Sequence, residues 1–211
     1  MDRRAFLGGL GASFVACGSL RLAAQCVAVA PGVSGCRLGL RHHFRIVTQN
    51  CPERCWAASI AGIFGYNDHP IDQDVIAQTV FKTLACLPSG NTRVLDAVLN
   101  HEWTDNNGAK FTAKITGLYD PLNGVTEMDN DDLVSEMKND NPVLYCNRSH
   151  AMVIVGLDYR KDAGGNIVAI DQVHMADPYP GQGFHVLSPA EMLPIGVGGA
   201  LTYVASVEID D

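Results

Sequence analysis

No HExxH, no paired CxxC, no lysine-rich stripe, no internal repeat and no low-complexity tract occurs in the 211 residues. The first two absences remove common zinc-site signatures, and His42, His43, His69 and His101 have no partner at metal-ligand spacing. Neither a metal nor a cofactor is expected. The chain carries 15 Lys and Arg against 23 Asp and Glu, a formal charge of −8. Without a basic stripe that balance speaks against nucleic acid or anionic lipid as a partner. Nor is a membrane span expected, because the apolar stretch from Ala5 to Ala16 is short and interrupted by glycine.

What is present begins with an export signal. Arg3-Arg4, followed by Ala5-Phe6-Leu7, the apolar stretch and the small residues Ala23-Ala24, resembles a twin-arginine segment. Residues 1–24 are therefore read as a signal and the mature protein as periplasmic or secreted. Cys17, in "FVAC", is a candidate for lipid attachment, with Phe14 a poor match to that pattern. Removing three arginines and one aspartate with the signal would take the formal charge from −8 to −10.

With 47% hydrophobic residues the remainder suffices for one core and one domain, and a monomer is expected. Residues 25–40, rich in Gly, Pro and Ser, read as an N-terminal arm, and 41–211 as the functional domain. Within it "HHFRIVTQ", His42 to Gln49, reads as a strand. Helical patterns follow over Cys55–Phe64, Asp72–Leu84 and Thr92–Trp103. Beyond the turn "DNNG", alternating segments dominate: "KFTAKITGL", "PVLYCN", "HAMVIVGLDY", "NIVAIDQVHMADP", "GFHVL" and "ALTYVASVEI". One short helix, "DNDDLVSEMK", interrupts them. A helical half followed by an antiparallel sheet half makes the chain α+β.

Export changes how the cysteines read. In an oxidising compartment some of Cys26, Cys36, Cys51, Cys55, Cys86 and Cys146 should pair, and one working thiol would leave at least one more unpaired. Cys55 stands where a helix begins, since Pro52 marks the turn before it and "WAASIAGIF" follows. A thiol at a helix N-terminus beside a histidine is biased toward thiolate. Cys51 lies in the preceding loop and suits a structural role, with Cys86 as a candidate disulfide partner.

A cysteine nucleophile needs a base held on rigid structure. His150 opens an alternating strand, although His174 and His185 compete for the role; Asp177, before Pro178 at a strand end, can orient the imidazole. Gln49 can point a side-chain amide at a developing oxyanion. "Q-x5-C-W-A", then "H-A-x-V-I-x-G", then "D-P", resembles the papain-like cysteine peptidase superfamily. The nearest likeness is to its compact bacterial branch of bacteriocin-leader-processing peptidase domains and secreted papain-like proteases.

The resemblance covers roughly Val47 to Val186 and includes Trp56. It implies a helical lobe packed on a sheet lobe, with Cys55 as nucleophile, His150 as base and acid, Asp177 as orienter and Gln49 as oxyanion donor. The substrate it implies is a peptide or protein. "CPERCW" departs from the cathepsin-type spacing of the two cysteines, and His150 follows Cys55 sooner than in that branch. Two alternatives stay open: another thiol-dependent acyl transfer on the same residues, and an exported binding domain whose cysteines are all paired.

Overall fold

The computed structural model describes residues 25–211; the twin-arginine segment, its cleavage region and Cys17 lie outside the described residues. The segment read as an arm is a β-hairpin, β1 (Gln25–Ala30) and β2 (Val33–Gly39), turned at Gly32 with φ of 73° and stapled by the Cys26–Cys36 disulfide. β2 pairs with a long strand of the sheet lobe, and Arg37 grips Asp158 there with two hydrogen bonds of 2.6 and 2.7 Å. A ten-residue disulfide loop and a cross-strand ion pair thus order a segment with little local propensity of its own.

His42–Gln49 has no regular secondary structure and is not a strand of the sheet. Its backbone partners lie elsewhere: Gln73 Nε2 donates to the Thr48 carbonyl, and Gln49 N donates to the Pro178 carbonyl at 2.8 Å. Phe44 anchors it, lying where a Cβ on Gly62 would come within 2.9 Å of the ring. Three helices follow: α1 (Cys55–Tyr66), α2 (Gln73–Phe81) and α3 (Thr92–Leu99). α2 starts at the Asp72 cap, whose side chain accepts from Asp74 N, and stops at Lys82 in the left-handed region. The helix expected through Trp103 ends at Leu99. The chain turns at Asn100, and Trp103 belongs to a short strand, β3 (His101–Thr104), where it caps the helical core.

The rest is β4 (Lys110–Asp120), β5 (Val125–Thr126), α4 (Asn130–Lys138), β6 (Val143–Asn147), β7 (Ala151–Asp162), β8 (Ile167–Asp177), β9 (Gly183–Val186), α5 (Pro189–Met192), a 3₁₀ turn at Ile195–Val197 and β10 (Leu201–Asp210). α4 carries a capping box at Asp129 and Asp132. Among the described residues the strands form one antiparallel sheet with the path β1-β2-β7-β6-β10-β4-β3, while β8 pairs with the other edge of β7 and with β9.

The central strands are apolar on both phases because both faces are covered. Leu144, Cys146, Ala151 and Val153 face a core shared with α1 and α3, whereas Val143, Tyr145, Met152 and Ile154 face a second core with Val134 and Met137 of α4. The architecture is α+β and compatible with a papain-like fold. Among the described residues no helix is long and apolar enough to cross a membrane.

Candidate active site

Cys55 is the first residue of α1, so the opening amides of that helix have no intrahelical acceptor and surround its sulfur with positive potential. The side chain is nearly buried, and its Sγ accepts a hydrogen bond from Ala151 N at 3.4 Å. Ala151 follows His150 at the start of β7, so the strand that carries the imidazole also touches the thiol. Ser59, one turn into α1, fastens the two elements by donating to the Ala151 carbonyl at 3.1 Å.

His150 is set by a tight turn between β6 and β7. Asn147 Oδ1 accepts from Ser149 N and His150 N, and Asn147 N donates to the His150 carbonyl at 2.9 Å. The ring Nε2 meets Asp177 Oδ1 at 2.7 Å, and His150 lines the same cavity as Cys55. Burial by itself would lower the His150 pKa; hydrogen bonds to Asp177 and Cys55, and their negative charge, overcome it and raise the value to about 9.

Asp177, at the end of β8, is buried, which would raise its pKa. Its hydrogen bonds from His150 and from Tyr179 N, the latter 2.7 Å, hold it below the usual carboxylate range instead. His174 and His185 do not take the place of His150: the first faces Asp158 at 3.5 Å, and the second, on β9, has its Nδ1 buried with no hydrogen-bond partner.

Gln49 is buried, and its amide is taken up by the loop before Cys55. Nε2 donates to the carbonyls of Cys51 and Pro52, both at 2.9 Å, and Oε1 is buried with no partner. In this arrangement Gln49 shapes the loop that delivers Cys55.

Cys51 and Cys86 form a disulfide, and Cys55 and Cys146 are free. A free Cys55 is incompatible with the fully paired binding domain. Cys146 is the second unpaired cysteine that parity required, although no local pattern singled it out. Burial pushes its thiol pKa up, as does the nearby Cys55.

Two further residues shape the site and were not legible in sequence. Arg54, 4% exposed, pairs with Asp74 and donates to the Leu84 and Ala85 carbonyls, so it doubles the tie made by the disulfide one residue further on. Tyr179 sets its ring edge-to-face on His150, with centroids 6.3 Å apart, beside the His150–Asp177 hydrogen bond. Cleaving the Cys51–Cys86 link, by Cys51→Ser with Cys86→Ser, should lower stability by about 4 kcal/mol, from closure of a loop of 35 residues. Chemical denaturation of the variant measures it. Arg54 should keep Cys55 reactive in the folded fraction.

The model of the family described as Peptidase_C39 like family matches residues 41–190. The chain belongs to that family. Membership agrees with a papain-like cysteine peptidase and implies protein substrates, and the matched span contains Gln49, Cys55, His150 and Asp177. Searches of curated proteins and of solved structures give no match. Among the described residues no group of three or more His, Cys, Asp or Glu side chains is placed to hold a metal ion.

Proposed function

We propose that this chain is an exported cysteine peptidase that hydrolyses peptide bonds through Cys55, His150 and Asp177. The observation that carries the reading is that a thiol at a helix N-terminus, bonded to the residue after His150, shares a cavity with an imidazole that is itself hydrogen-bonded to a buried carboxylate. The two disulfides, Cys26–Cys36 and Cys51–Cys86, support passage into an oxidising compartment.

The thiolate of Cys55 attacks the scissile carbonyl carbon, forming a C–S bond and an oxyanion. The Cys55 amide at the head of α1 donates to that oxyanion. His150, held as imidazolium by Asp177, gives its proton to the departing amine as the C–N bond breaks. Water then attacks the thioester while His150 takes its proton, and thiolate and imidazolium are restored.

Gln49 supplies the second oxyanion donor by turning its amide from the Cys51 and Pro52 carbonyls. Gln49→Ala should then lower kcat about 100-fold, the cost of losing one such donor. Steady-state kinetics with a cleaved peptide measures it; a loss confined to stability would make Gln49 a loop anchor alone. The reading as a whole is tested by incubating the mature protein with a peptide library, with and without added amine. Hydrolysis products in water support it, and products that form only with the amine would replace it by transpeptidation.

A further inference from the structure

Among the described residues four cysteines are paired, as Cys26–Cys36 and Cys51–Cys86, and the two free ones, Cys55 and Cys146, meet at one place. Cys146 and Ala151 are direct partners in the antiparallel pairing of β6 and β7, so their Cα atoms are about 5 Å apart and their side chains leave the sheet on one face. α1 packs on that face, and Cys55 Sγ, at its head, accepts from Ala151 N at 3.4 Å. The sulfur of the nucleophile therefore lies over the residue that stands directly across from Cys146. Both cysteines line one cavity of about 860 Å³ and belong to one buried cluster. Burial raises the pKa of the Cys146 thiol, and a negative charge on Cys55 raises it further.

Cys146 has no part in the hydrolytic steps. Its backbone is held by the ladder with Ala151 and Tyr203 and by the Thr202 hydroxyl, which donates to its carbonyl at 3.1 Å. The side chain is the movable part, since rotation about one bond swings the sulfur while the strand stays in register. Trp56, Leu95, Cys146, Ala151 and Thr202 are buried side chains that line the cavity with Cys55. Of these only Cys146 can form a bond to an oxidised sulfur. A reactive thiol with a second, resolving thiol beside it is the arrangement of reversible cysteine oxidation.

We propose that Cys55 and Cys146 form a reversible oxidation site for peroxide: oxidised Cys55 is captured by Cys146 as a disulfide, which stops hydrolysis until a thiol reductant restores both sulfurs. The proposal rests on the peptidase reading for the reactivity of Cys55. In the first step the Cys55 thiolate attacks one oxygen of hydrogen peroxide. An S–O bond forms, the O–O bond breaks, and the departing hydroxide takes the proton of the His150 imidazolium and leaves as water. The sulfur, now a sulfenic acid, has lost two electrons to the peroxide. In the second step the Cys146 sulfur attacks Cys55 Sγ. The S–S bond forms, the S–O bond breaks, and hydroxide leaves with the Cys146 proton as a second water. The first step removes the charge on Cys55, one of the causes that hold Cys146 protonated. Without Cys146 the sulfenic acid proceeds to sulfinic and sulfonic acids, which thiols do not reduce.

The test treats the full mature chain and its Cys146→Ala variant with hydrogen peroxide, then follows peptide hydrolysis and the mass map of the cysteine peptides. Dithiothreitol is then added, and each sample is compared with the same protein given dithiothreitol alone, because the reductant also opens Cys51–Cys86. In the parent, hydrolysis should fall at least about tenfold, the Cys55 and Cys146 peptides should be joined at about 2 Da below their sum, and the reductant should restore activity. Cys146→Ala should also lose hydrolysis, but gain oxygen at Cys55 and stay inactive after reductant. The parent map decides by itself if that variant fails to fold. Hydrolysis that survives peroxide, oxidation of Cys55 without a link to Cys146, or equal recovery in the two proteins would overturn the proposal and leave the peptidase reading standing. An untreated parent that neither hydrolyses peptide nor takes up iodoacetamide at Cys55 would overturn both.

Discussion

Replacing Cys55 with alanine should abolish peptide hydrolysis, with a fall in kcat on the order of 10⁶, the scale seen when the nucleophile of a comparable acyl-transfer triad is removed. No other group stands where the sulfur stands. Cys146 is buried behind it, with a thiol that burial keeps protonated, and cannot substitute. Nor should the fold suffer: the change removes one sulfur from a side chain already in contact with the cavity. Far-ultraviolet circular dichroism and the denaturation midpoint should therefore stay close to those of the parent while product formation vanishes. Full activity in Cys55→Ala would end the thiol mechanism.

His150→Ala should cost about 10⁴-fold in kcat/KM, because one side chain both holds positive charge beside the sulfur and donates the proton to the leaving amine. Its titration also sets the alkaline limit. The His150 pKa is raised from 6.5 to about 9, so the contribution of its charged form is complete below the ordinary value and is lost as pH rises through about 9. Activity should fall on the alkaline side near that value. Asp177→Asn keeps an oxygen that can accept from Nε2 but removes the charge behind the ring, so the alkaline limb should move down toward the ordinary histidine range. A pH profile of kcat/KM for the parent and this variant measures the shift.

Much of this site was legible because its local signals agree. Pro52 and the alanine-rich run after Cys55 mark a helix start, the alternation after His150 marks a strand, and Pro178 ends the strand that carries Asp177. Those three signals fix where each side chain sits on its element, and the sheet register brings the elements together. Segments whose order depends on distant partners were not legible. The β1–β2 hairpin needs the Cys26–Cys36 bond and the edge of β7, neither of which has a local pattern. His42–Gln49 has strand composition, but its backbone partners are a glutamine side chain and a loop carbonyl.

The helix expected to run to Trp103 shows the opposite failure. Apolar spacing continues past Leu99, yet that tryptophan packs on Phe64 from a strand and not from the helix. Arg54 and Cys146 illustrate a third limit: an ion pair between a buried arginine and a part-exposed aspartate, and a cavity wall, are made by residues far apart in the chain. Parity announced a second free cysteine without saying which. The direction of the Gln49 amide depends on two carbonyls that only the folded loop presents.

The central claim, that His150 and the head of α1 activate the Cys55 thiol, is tested most directly by the pH dependence of Cys55 alkylation. Iodoacetamide labelling would be followed by intact mass in the mature protein and in His150→Ala. The account predicts rapid single labelling at Cys55 in the unreduced protein, changing near pH 9 as His150 loses its proton, and slow labelling without that change in the variant. Equal rates and equal pH profiles in the two proteins would contradict it.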